Sequence, residues 1–98
     1  ARALAQRILV EGGTNPEDRV RWAWRLVTAR YPAEDESQIV LTALKAHKER
    51  YLKDPEAAAK LIHFGDSQPE NGIPPVQLAS WTLVANLLLN LDEVVNKN

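Results

Sequence analysis

Two histidines, His47 and His63, and an acidic pair near the end, Asp92-Glu93, are the residues of this 98-residue chain whose types most readily do chemistry. Two imidazoles from different helices can ligate haem iron or a metal. Here they have no cysteine or methionine to join them and no tight spacing such as HExxH. Each therefore reads as a structural group: His47 as a core imidazole bonded to a backbone carbonyl, His63 as a cation at a helix C-terminus, where the dipole favours it. Gly12-Gly13-Thr14 precedes a helix start and invites a phosphate reading, but Glu17 and Asp18 fill the first turn and would repel an anion. Ser37 and Ser80 sit in no nucleophile elbow and next to no base. With no cysteine there is no disulfide, thiolate metal site, cysteine nucleophile or c-type haem attachment in this segment, so electron transfer by bound haem is disfavoured. No catalytic, cofactor-binding or metal-ligating residue emerges.

The acidic pair poses a positional question. If the last helix runs through Val94, Glu93 joins a polar stripe while Asp92 falls beside Trp81, Ala85 and Leu88 on the apolar side. An ionised carboxylate there needs a partner. Arg30 or Arg25 of the second helix would supply one, making Asp92 part of a structural ion pair. The alternative is a helix that stops at Leu91 and leaves Asp92 exposed. General acid–base work would need a second converging group, which the sequence does not display.

The elements that position these residues are all helices. Asn15-Pro16 and Asp54-Pro55 each place a good N-cap before a proline at the first helical position, where its missing N–H is harmless and its fixed φ suits the helix. Pro32 and Pro74-Pro75 precede two further helical patterns. The expected helices run over about 1–11, 16–31, 33–53, 55–64 and 75–94. Gly12-Gly13 should give a left-handed cap and a turn, and Gly65 another cap. GDSQPENGIPP, residues 65–75, is the one long loop. No period-two alternation suggests a strand.

The fifth helix carries the most information about architecture. From Leu78 to Val95 it reads LASWTLVANLLLNLDEVV, with Thr82, Asn86, Asn90 and Glu93 in one narrow polar stripe and apolar residues elsewhere. Such a helix must be surrounded by protein. It is broken by asparagines and followed by acids, unlike a membrane span of roughly 20 apolar residues. The second helix has two apolar faces: Val20, Trp24, Val27 and Tyr31 on one side, Trp22, Leu26 and Ala29 on the other, with arginines along both boundaries. Either it is sandwiched between helices of this chain, or the Trp22 face meets other protein, tryptophan beside arginine being favoured at interface anchors.

Composition limits the remaining choices. Ninety-eight residues, 45% hydrophobic, suffice for one core. Twelve basic and thirteen acidic residues leave a net charge of −1, so no long-range field draws in nucleic acid or anionic lipid. The chain opens at Ala1 in a helical pattern without methionine or a signal peptide, as expected of a piece of a longer polypeptide.

Three segments carry a resemblance: ARALAQRILVEGG at the start, RLVTARYP with Glu34 shortly after, and WTLVANLLLNLDE near the end. Together they resemble the C-terminal part of a large planctomycete-type domain of unknown function. That domain occurs in exported multidomain proteins, often behind a planctomycete cytochrome c domain. The likeness spans essentially the whole chain, and Asn90-Leu91-Asp92-Glu93 is its most specific part. Where that family has Gly-Arg before the proline, this chain has Ala29-Arg30-Tyr31-Pro32. The resemblance implies an extracytoplasmic setting, periplasmic or cell-surface, and further domains upstream in the same chain; it implies no catalytic residues.

The expectation is thus an all-α, single-domain bundle of about five helices around a central C-terminal one. Its expected function is that of a non-catalytic structural or interaction subdomain with no cofactor. Its partners would be upstream domains of the same chain or another protein. The competing expectation is an accessory part of an enzyme whose active site lies mainly upstream.

Overall fold

Proline and its preceding cap residue set where the helices begin. Asn15 accepts the Asp18 backbone N–H on Oδ1 at 2.8 Å, and Asp54 accepts that of Ala57 at 3.2 Å, with Pro16 and Pro55 opening the helices behind them. The protein, described by a computed structural model over residues 1–62 and 73–95 with side chains to Leu91, has five helices among those residues. They are α1 (Arg2–Glu11), α2 (Pro16–Thr28), α3 (Glu34–Lys53), α4 (Pro55–Ile62) and α5 (Pro75–Val95). No strand occurs among the described residues. The fold is an all-α bundle, as the periodicity indicates. The stretch 63–72, which includes the expected Gly65 cap and most of the expected loop, lies outside the described residues.

The bundle is assembled on α5, which touches each of the other four helices. Leu78, Ala79, Ser80, Trp81, Thr82, Val84, Ala85 and Leu88 are all buried, so the N-terminal half of α5 has almost no solvent face. The two hydroxyls in this run are satisfied within the helix: Ser80 donates to the Val76 carbonyl and Thr82 to that of Leu78, both at 2.7 Å. Thr82 therefore departs from the expected polar stripe, whose remaining described members, Asn86 and Asn90, are exposed. Around α5 stand Ala5, Ile8 and Leu9 of α1, Val20 and Trp24 of α2, Val40, Leu44 and Tyr51 of α3, and Ala58 and Ile62 of α4. Each large aliphatic side chain so buried contributes roughly 1.5–3 kcal/mol before the entropy of ordering the chain is set against it. The radius of gyration, 13.1 Å, is that of a close-packed chain of this length. No helix among the described residues is long and apolar enough to cross a membrane.

The turns show how the sequence steers the chain between helices. Gly12 ends α1 with φ −84°, so the left-handed residue of the Gly12-Gly13 pair is Gly13, at φ 101°. Gly12 answers a different need. A Cβ there would lie 2.6 Å from the Ile8 carbonyl oxygen. Arg19 of α2 reaches back across this turn, donating to the carbonyls of Gly13 at 3.1 Å and Leu9 at 3.4 Å. At the start of α1, Arg2 donates to the Ile62 carbonyl at 2.7 Å, placing a cation on the C-terminus of α4.

The second helix ends three residues before the expected Tyr31. Ala29 turns left-handed (φ 63°, ψ 17°) while its N–H still bonds the Arg25 carbonyl. Pro32 disfavours a helical conformation at Tyr31, and the Thr28 hydroxyl bonds the Trp24 carbonyl at 2.7 Å. For a residue with a Cβ, the left-handed region is uphill by about 1–2 kcal/mol. Ala29→Gly should therefore raise stability by about 0.5–1 kcal/mol, the relief being partly offset by the greater freedom of glycine in the unfolded chain. Gly12→Ala should lower it by about 1–3 kcal/mol, because the Ile8 carbonyl must move. Thermal unfolding of the two variants would show opposite shifts; a neutral or destabilising Ala29→Gly would mean that the corner is not strained at this residue.

Candidate functional site

The Trp22 side of α2 faces an open groove of about 620 Å³ that runs between α1 and α2 to Tyr31. Helical spacing makes this side distinct from the core. Val20, Ala23 and Trp24 point inward and are buried; Trp22 is half-buried, Leu26 is 42% exposed and Ala29 is exposed. Trp22 is covered in part by Arg7 of α1, whose guanidinium carbon stands 5.5 Å from the indole centroid. Arg7 in turn is paired with Glu11 one turn on, at 2.9 Å. Because α2 stops at Thr28, Tyr31 is not part of the Val20–Trp24 face. It is 55% exposed, and its ring lies 5.0 Å from the guanidinium carbon of Arg21 and 5.1 Å from that of Arg25.

The groove is unevenly charged. Glu11 and Asp18 line it near the α1–α2 turn, whereas Arg21 and Arg25 line it toward Tyr31. Asp18 is engaged by Asn15, which donates from Nδ2 to Oδ2 at 3.0 Å, and Glu11 is engaged by Arg7. The N-terminus of α2 is thus closed by its own Asn15 cap and acidic first turn, an arrangement unfavourable to a phosphate at Gly12-Gly13-Thr14.

Beyond the groove, the corner between α2 and α3 carries a bidentate ion pair. Arg30 places Nη1 and Nη2 each 2.8 Å from the two carboxylate oxygens of Glu36. Glu36 also accepts the Ala33 N–H at 2.8 Å, so it caps α3 from the third helical position while holding the arginine. Ala33 has no side-chain acceptor, so only this half of a capping box is present. Arg30 also stacks over Trp24, 5.4 Å from its ring centroid, and so ties the corner to the core. The hydrogen bonds from Arg30, then that from Ala33, hold the Glu36 carboxyl well below its ordinary 4.5, at about 2, and the same pair raises Arg30.

The expected ion-pair residues are therefore placed as follows. Arg30 engages Glu36, Arg25 lies against Tyr31, and the side chains of Asp92 and Glu93 lie outside the described residues. Glu36, not Asp92, is the described carboxylate on Arg30, and its local signal is a glutamate three residues past the residue following Pro32. His47 lies half-buried beside the buried Leu44 and Tyr51 positions of α3, and burial, then Arg50, lowers its pKa. His63 lies outside the described residues. No group of three or more His, Asp or Glu side chains able to hold a metal occurs among the described residues.

Compared with family models, curated proteins and solved structures, the chain gives no match.

The Glu36 shift has a defined consequence for stability. A carboxyl whose pKa is lower in the folded than in the unfolded chain contributes stability that is fully present above its ordinary value near 4.5 and is lost as pH falls through about 2. Solvent reaches this pair, so the contribution is screened and small. Thermal unfolding followed between those two pH values should show a shallower decline for Glu36→Gln than for the parent chain, and Arg30→Gln should flatten it likewise. Parallel curves for parent and both variants would mean that the pair adds nothing to stability.

Proposed function

We propose that this chain is a non-catalytic helical structural or interaction subdomain of a larger exported protein. Its other surfaces would be completed by upstream domains of the same chain or by another protein. The observation that carries this reading is the Trp22 face of α2. A tryptophan that packs against the core yet keeps part of its ring accessible, followed one turn later by an exposed leucine, on a helix whose opposite side already fills the core, is surface suited to contact with more protein.

The planctomycete-type reading rests on the sequence resemblance, from which the α2–α3 corner departs at Ala29, where that family has glycine before the arginine. The periplasmic or cell-surface location follows from the same resemblance.

The reading is tested by hydroxyl-radical footprinting of the intact protein on cells alongside the purified 98-residue chain. Trp22 and Leu26 should react severalfold more slowly in the intact protein on cells, while buried Trp81 stays unreactive in both. Equal reactivity of Trp22 and Leu26 in the two samples would overturn the proposal.

A further inference from the structure

We propose that the groove between α1 and α2 receives an acidic peptide segment of a partner protein. An apolar side chain of that segment seats on Trp22 and Leu26, and its carboxylates meet Arg21 and Arg25. The inference rests on the reading of this face as an interaction surface and adds the chemistry of what it recognises.

The charge arrangement selects the partner. Of the arginines along the groove, Arg7 already holds Glu11. Arg21 and Arg25 have no carboxylate within 4.0 Å among the described residues, and both are gathered on the one ring of Tyr31. Stacking restrains two like charges side by side, so little ordering remains to be done when an anion arrives. Arg21 and Arg25 are one helical turn apart, as are Trp22 and Leu26, so α2 presents a cationic row directly beside an apolar row. A peptide with one large apolar residue flanked by carboxylates matches both rows at once, through charge-assisted hydrogen bonds to guanidinium and burial of the anchor.

Other anions fit less well. A polyphosphate strand or an anionic bilayer extends beyond two cations, and here it would meet Glu11 and Asp18 in the same groove and a chain of net charge −1. A short carboxylate-bearing segment avoids both acids by lying toward the Tyr31 end. A basic segment would face Arg21 and Arg25 directly.

A phage-displayed random peptide library, selected on the folded chain, is the probe. The enriched sequences should carry aspartate or glutamate on either side of a leucine or aromatic residue. A synthetic copy should bind with an affinity that falls roughly tenfold for each of Arg21→Gln and Arg25→Gln, a difference that shrinks at high salt as the parent's own affinity falls. In titrations followed by NMR, the indole N–H signal of Trp22 should move while those of Trp24 and Trp81 stay. Both arginines are exposed, so these variants should keep the parent's helical circular dichroism, and the double reversal R21E/R25E should redirect selection toward basic peptides. The proposal is overturned by the absence of enrichment, by enriched peptides indifferent to both arginines, or by tighter binding of a single-stranded oligonucleotide or phosphatidylserine vesicles. Footprinting on cells reports whether the face is covered and the library reports what chemistry covers it, so the two readings fail separately.

Discussion

The rest of the structure depends on enclosing the first half of α5. From Leu78 to Ala85 every residue but Leu83 is buried, and a segment covered on all sides needs neighbours in every direction. Four helices supply them. Two of these are too short to stand alone: α1 and α4 are 10 and 8 residues long, below the roughly 12–15 at which isolated helices become even marginal in water. Their stability comes from the α5 surface they cover. The indole N–H groups of Trp24 and Trp81 find no acceptor among the described residues, so these rings act through packing, and the polar groups of Ser80 and Thr82 are turned back onto the helix that carries them.

Covering one helix with four others requires sharp turns, and the chain makes them with local chemistry. At the α1–α2 turn, steric room at Gly12 and positive φ at Gly13 let the chain reverse, while Arg19 binds the carbonyls that α1 leaves open. At the α2–α3 corner the same task falls to Ala29, whose left-handed conformation is uphill. Glu36 compensates by capping α3 and holding Arg30 together. These corners set the angle of α2, and with it the direction in which Trp22 faces.

Helix starts were legible because they are written in adjacent residues. Asn15-Pro16 and Asp54-Pro55 cap as their types demand, and the apolar continuity of α5 implies an enclosure that holds around Leu78–Ala85 but not at Leu89, which is exposed. The end of α2 was not legible. Helical periodicity carries Tyr31 onto the Val20–Trp24 stripe, and nothing in an alanine announces a left-handed cap. Arg30 illustrates a second limit. A helical wheel says which side of a helix an arginine occupies but not which of several carboxylates the tertiary fold or the next turn brings to it. The groove was legible in half: Trp22, Leu26 and the boundary arginines share a side by spacing alone, but Arg7 over Trp22 and Tyr31 between Arg21 and Arg25 depend on how α1 docks and where α2 stops.

The early end of α2 also shapes its outer side, where Trp22 packs against the core while Leu26 and Tyr31 are exposed. Had the helix continued to Tyr31, its spacing would have placed that ring on the inward stripe, away from Arg21 and Arg25. Stopping at Thr28 instead frees Tyr31 to fold back toward the outer side, where it engages both guanidinium groups. The strained Ala29 is therefore what couples the packing of the bundle to the form of its outer surface. A corner required by the fold, bridging α2 to α3 above the α5 core, also arranges a restrained pair of cations beside a half-buried tryptophan.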